Sequence, residues 1–150
     1  MSEHTNLCKL IDESLLGIPY LLGGRTREGA DCIGTVILWL ETQGIHYKYD
    51  DSQGPVLRNW WAKSPRRFLD AMLKLGTIVD FRDVRKFDCL MFVLGNEGNT
   101  FPSCIGIMVD ERHMITSTEE RGSFVEMLNI EWKKRFFGAI RLRKIVEAGL

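Results

Sequence analysis

Gly17-Ile-Pro-Tyr-Leu-Leu-Gly-Gly24, then Gly29-Ala-Asp-Cys-Ile-Gly34, runs directly into an apolar segment from Thr35 to Leu40. The first half reads as a turn and a glycine-rich loop. Pro19 fixes its own φ, and the Gly23-Gly24 pair permits a sharp turn or a close approach. The second half reads as a helix start, with Asp31 as N-cap and Cys32 as the first helical residue. The amides and dipole of a helix N-terminus favour a thiolate over a thiol. A cysteine there, beside a loop that can shape a cleft, suits a nucleophile. The other reading of Cys32 is a small buried hydrophobe, and the local chemistry leaves both open.

Outward from this stretch, Leu7, Leu10, Ile11, Leu15 and Leu16 make one helical face, ended by Gly17. His4 and Cys8 fall off that face and read as surface residues. Arg25-Thr-Arg-Glu28 reads as an exposed polar tip. Cys32 to Gln43 is apolar nearly all round, which predicts a buried central helix closed by Gly44. Trp60-Trp61 reads as a lid on the core. Ser64-Pro65 opens a further helix with the face Phe68, Leu69, Met72, Leu73 and Leu75, ended by Gly76. Thr77 to Phe81 is a candidate short strand. From Phe87 onward the pattern changes to short apolar runs: Cys89 to Leu94, Cys104 to Val109, His113 to Ser117, Ser123 to Met127 and Phe137 to Leu142. Short polar turns between them predict an antiparallel sheet. Helices first and strands after give an α+β fold, a central helix carrying Cys32 packed on about five strands.

A chain of 150 residues with 45% apolar and 27% charged residues fits one globular domain over residues 1–150. Lys plus Arg equals Asp plus Glu, which gives no basic footprint for nucleic acid. Lys133-Lys-Arg135 and Arg141-Leu-Arg-Lys144 read as solvated basic faces. No apolar stretch approaches membrane-spanning length, and no secretory leader is visible at the N-terminus. Synthesis in a reducing cytoplasm is therefore expected, with Cys8, Cys32, Cys89 and Cys104 as free thiols. Their spacing offers no zinc site, and no metal or cofactor is expected.

The loop Gly17-Ile-Pro-Tyr20…Gly23-Gly24 with Asp31-Cys32-Ile33-Gly34 resembles the NlpC family of papain-like cell-wall cysteine peptidases. Phe87-Asp-Cys-Leu-Met-Phe92 looks like that family's first core strand and Pro102-Ser-Cys-Ile-Gly-Ile107 its second. Arg121-Gly-Ser-Phe-Val-Glu126 and Trp132-Lys-Lys-Arg-Phe-Phe-Gly-Ala-Ile-Arg141 are similar to the phage and prophage branch, in which such domains accompany tail assembly. The resemblance implies a papain-like fold, Cys32 as nucleophile and Tyr20, Gly23, Gly24 and Asp31 around the substrate. It implies peptidoglycan peptides or phage tail proteins as partners, and association with virions. It also exposes two departures. Where the family has its catalytic histidine, this chain has Cys104. Where the family has the polar residue that orients the histidine, this chain has Thr116, or Ser117 if the hairpin is one residue longer.

A thiol peptidase needs a base within hydrogen-bond reach of its cysteine. His4 is terminal. His46 follows the far end of the central helix, roughly 18 Å from Cys32 at 1.5 Å rise per residue. His113 opens its strand on the hairpin-tip side. Three readings follow: a peptidase homologue of weak or lost activity that serves in tail assembly or peptidoglycan binding; an active peptidase or amidase with an unrecognised base; and a thiol or redox module built on Cys32 and Cys104.

Overall fold

The computed structural model describes residues 11–49, 64–95 and 100–150. His4, Cys8 and the Trp60-Trp61 pair lie outside the described residues.

The first described segment is not the end of a regular helix. Glu13–Leu15 forms a single 3-10 turn, because the Asp12 carboxylate captures the Ser14 amide at 2.9 Å. Short polar side chains compete in this way with the helical ladder. Leu15 is buried, and Gly17 turns the chain at φ 75°. The following residues are clasped to the sheet by Ser123, whose hydroxyl donates to Leu15 O at 2.6 Å and accepts from the Ile18 amide at 2.8 Å. The loop then makes a two-stranded hairpin, β1 (Arg25–Thr26) and β2 (Gly29–Ala30).

The central helix α1 (Cys32–Thr42) follows the apolar pattern closely, with Thr35 to Leu40 all buried. The next helix, α2 (Arg67–Leu73), starts later than its Ser-Pro signal. A turn closed by the Arg67 amide on Ser64 O precedes it, and Arg66 gives no side-chain cap. Phe68, Leu69 and Met72 are buried as expected, whereas Leu73 is exposed.

Among the described residues the main sheet has six strands, the five apolar runs and the candidate strand after α2: β3 (Gly76–Val79), β4 (Cys89–Phe92), β5 (Cys104–Met108), β6 (His113–Thr118), β7 (Gly122–Met127) and β8 (Phe136–Leu142). Their order is β3-β8-β4-β5-β6-β7, and every pairing is antiparallel. The candidate strand after α2 is thus the edge of the sheet. It begins at Gly76 because a Cβ there would lie 2.0 Å from Arg141 O on β8. Two short helices complete the chain, α3 (Ile130–Arg135) and α4 (Arg143–Glu147). Asn129 caps α3, and Trp132 anchors it against Phe92 with ring centroids 4.8 Å apart. Lys133, Lys134 and Arg135 face solvent in its last turn.

The helix α1 packs on β5 and β6. The sheet is cross-tied by an ion pair that clamps β4 to β8: the part-exposed Arg141 donates to both oxygens of the buried Asp88 carboxylate, at 3.0 and 2.9 Å. Together these contacts place the N-terminus of α1 over the first residue of β5.

Candidate functional site

Asp31 is fully committed inside the fold. Its Oδ1 accepts the Gly34 amide at 2.8 Å, which caps α1, and the Arg25 guanidinium at 2.8 Å. Its Oδ2 accepts the Gly23 amide, also at 2.8 Å. One carboxylate therefore ties the glycine loop, the β1–β2 hairpin and the helix start together. Arg25 also donates to Gly24 O, so it turns inward and is not part of an exposed tip. Gly23 has φ 78°, a conformation that glycine adopts without a Cβ penalty. Gly34 is needed for another reason: a Cβ there would sit 2.1 Å from Gly24 O.

Cys32 and Cys104 meet at hydrogen-bonding range, and both are free thiols. Behind them lies Thr116, whose hydroxyl donates to Ile105 O at 2.6 Å. That uses its single proton, so toward Cys104 Sγ, 3.5 Å away, Thr116 Oγ1 is an acceptor. The Cys104 S–H is thus directed to Thr116, or to Ile105 O at 3.7 Å, and its lone pair faces Cys32. The Cys32 S–H completes a chain of neutral donors that ends on a backbone carbonyl.

The expectation that helix amides would favour a Cys32 thiolate is overturned. The hydrogen bond to Cys104 and complete burial hold the Cys32 thiol well above the ordinary thiol range, and the Asp31 carboxylate adds to the effect. The Ile105 amide acts in the opposite sense and is outweighed. Two thiols in contact titrate as a pair, and the second ionisation is the harder one.

A small open cleft leads to Cys32, lined also by Tyr20, Arg25, Asp31, Arg67 and Ser103 among others. Gly23 and Gly24, expected at the ligand, are not among its lining residues; they shape the loop behind it. Burial, with the Cys32 sulfur nearby, pushes the Tyr20 hydroxyl above the ordinary phenol range, so it stays a neutral donor. Arg25 and the Ile105 backbone were missed in the sequence. The only signal was a basic residue six positions before Asp31.

No described imidazole stands at the thiols. His46 is exposed, and its carbonyl accepts from Lys144 at 2.6 Å. His113 is buried, its Nδ1 3.1 Å from both oxygens of Asp110. It lies three residues from Thr116 on β6, about 10 Å along the strand. The odd separation also puts the two side chains on opposite faces. Ser117, the alternative third position, is on the His113 face by the same count. Among the described residues, no group of three or more His, Cys, Asp or Glu could hold a metal, and no helix is long and apolar enough to cross a membrane.

The family model described as the NlpC/P60 family matches residues 17–141. The chain belongs to the NlpC/P60 family. Its papain-like fold is shared with an NlpC/P60 family protein from Bacillus cereus ATCC 10987, 26% identical with a TM-score of 0.57, over 85% of this chain and 36% of that one. It is also shared with a "similar to lipoprotein, NLP/P60 family" protein from Staphylococcus aureus, 17% identical with a TM-score of 0.58, over 95% of this chain and 42% of that one. The chain thus spans less than half the length of either protein. The NlpC/p60 domain of the peptidoglycan hydrolase SagA is covered over 98% of its length, at 14% identity and a TM-score of 0.54. No curated protein matches in sequence.

Proposed function

We propose that this chain is an NlpC/P60 domain whose cleft binds peptidoglycan-derived peptides and hydrolyses them slowly or not at all. The observation that carries this reading is the Cys104 thiol opposite Cys32, with Thr116 behind it. Peptide cleavage by a thiol needs a group that takes the sulfur proton and later protonates the leaving amine. Cys104 fills that place as a donor engaged with its own strand neighbours, and Thr116 Oγ1 has no proton to spare. The cleft, by contrast, remains open, with two arginines, two tyrosines and Phe68 along it. Such a surface suits a short polar peptide. The likeness of Arg121–Glu126 and Trp132–Arg141 to the phage and prophage branch supports a role beside tail proteins.

The test is calorimetry with a muropeptide containing the γ-D-glutamyl-diamino-acid bond, followed by chromatography of the same mixture. Binding without new products is expected. Cys104→His combined with Thr116→His should raise cleavage above background by roughly 10²-fold, the lower end for a positioned acid–base group. Hydrolysis by the parent protein that Cys32→Ala abolishes would favour an active enzyme with a different base. Absence of binding would remove the ligand assignment.

A further inference from the structure

The contact between Cys32 and Cys104 has a chemical use that hydrolysis does not need. Both sulfurs are held on rigid mounts. Cys32 sits one residue after the Asp31 clasp, and Cys104 is fixed in β5 by its pairing with Phe92 on β4. They differ in access. Both are buried, at 6% and 3% exposure, but Cys32 lines the open cleft, whereas Cys104 is not part of the lining. They also differ in orientation. The Cys104 hydrogen points toward Thr116 Oγ1 or Ile105 O, which leaves its lone pair directed at Cys32. A sulfur lining an opening, backed by a second sulfur whose lone pair faces it, is the arrangement of a resolving pair.

We propose that Cys32 and Cys104 form a redox-active dithiol that hydrogen peroxide converts into a disulfide, with Cys32 reacting first and Cys104 resolving it. In the first step the Cys32 sulfur gives up its proton and attacks one peroxide oxygen. An S–O bond forms, the O–O bond breaks, and the departing hydroxide takes up that proton to become water. Cys32 is now a sulfenic acid, oxidised by two electrons, and the peroxide is reduced. In the second step the Cys104 sulfur attacks the Cys32 sulfur. The S–S bond forms, the S–O bond breaks, and the hydroxyl leaves with the Cys104 proton as a second water. Two thiols and one peroxide become one disulfide and two waters.

Moving from hydrogen-bond range to a bond of about 2.05 Å requires the two sulfurs to approach by about 1.5 to 2 Å. The remaining described cysteine is an internal control. Cys89 is 1% exposed, does not line the cleft and has the Asp88 carboxylate beside it. Its thiol is pushed up to about 12 by burial and by that charge, so it should stay reduced. The dithiol inference stands apart from peptide binding, which is read by calorimetry on the reduced protein and is unaffected by the outcome here.

The experiment is peptide mapping of the full chain after a modest molar excess of hydrogen peroxide, with dimedone as a trap for sulfenic acid. Tryptic cleavage places Cys32 in Glu28–Lys48 and both Cys89 and Cys104 in Phe87–Arg112, so tandem mass spectrometry must assign the link. The expected product joins Cys32 to Cys104, forms equally in Cys89→Ser, and is reversed by dithiothreitol. In Cys104→Ser the link should vanish and dimedone should label Cys32. Oxidation of Cys89 ahead of Cys32 in the parent protein would overturn the proposal. So would oxidation of Cys32 to sulfinic acid in the parent with no Cys104 link, or persistence of Cys32 as a thiol throughout. These outcomes need no variant to fold.

Discussion

Replacing Asp31 with alanine removes three hydrogen bonds at once and so tests whether one carboxylate holds the site together. The N-cap bond to the Gly34 amide is worth about 1 kcal/mol. The bond from the Gly23 amide to an ionised acceptor contributes about another 1 to 2 kcal/mol. The Arg25 pair is part-exposed, with 31% of the Arg25 side chain accessible, so its share is held to about 1 kcal/mol or less. Contacts sharing one carboxylate are not additive, and about 3 kcal/mol is the expected total. For a chain of this length that lowers Tm by roughly 6 to 12 °C. Asp31→Asn is the informative companion. Its carbonyl can keep the Gly34 and Arg25 bonds, but its amide group opposes the Gly23 N–H, so an intermediate loss is expected. The asparagine also removes the negative charge that helps to hold the Cys32 thiol high, after the Cys104 hydrogen bond and burial. Iodoacetamide should therefore alkylate Cys32 faster at neutral pH in Asp31→Asn than in the parent. Scanning calorimetry and alkylation rates measure the two effects. A melting temperature for Asp31→Ala within about a degree of the parent, where about 3 kcal/mol of loss predicts several, would refute the clasp. Slower alkylation in Asp31→Asn would refute the charge argument.

Two further outcomes follow from buried charges and thiols. Arg141→Met alone should cost about 3 to 5 kcal/mol in urea unfolding, because it strands the buried Asp88 carboxylate, while Asp88→Asn, which leaves a part-exposed arginine, should cost less and the double replacement should recover part of the Arg141→Met loss. A cost under about 1 kcal/mol for Arg141→Met would show that the β4–β8 clamp is dispensable. The Cys89 thiol, raised by burial and Asp88 to about 12, favours the folded state while it stays protonated. Its contribution is whole below the ordinary thiol range and is lost as pH rises toward 12, at most about 4 kcal/mol. Stability should fall steeply on the alkaline side, and Cys89→Ala should flatten that slope; an unchanged slope would rule Cys89 out as a cause.

The sequence shows its longest and most regular elements. Eleven residues of α1 and five of the strands carry enough repeats of their period to be read directly, and Asp31 announces the helix start by its type and place. Shorter elements do not. A six-residue α3 or a five-residue α4 completes fewer than two turns, so no face can repeat, and α3 is fixed by Trp132 packing on Phe92 instead. The stretch before Gly17 has helical spacing, yet from residue 11 onward it makes only a 3-10 turn, because the Asp12 carboxylate takes the Ser14 amide locally and the Ser14 hydroxyl accepts from Arg27 thirteen residues on. The candidate strand Thr77 to Phe81 forms as β3, but it starts at Gly76, a glycine that looks like a helix stop and is in fact required by the neighbouring strand.

The candidate site divides along the same line between what is local and what is assembled. Cys32, Cys104 and Thr116 could be placed through the resemblance, and the topology brings all three together, because β5 and β6 pair so that Cys104 and Thr116 project toward the start of α1. The state of Cys32 could not be placed. A rule drawn from helix ends weighs only amides and the dipole, which favour the thiolate. In the folded chain the same sulfur is buried beside a carboxylate and donates to a second thiol, and those effects run the other way. Cys32 is therefore held as a thiol by its surroundings, while its hydrogen bond draws the Cys104 thiol below the ordinary range. A histidine in the place of Cys104 would draw the proton off Cys32, whereas a second thiol shares it. That difference separates a nucleophile ready for a peptide bond from a reduced pair that an oxidant can join.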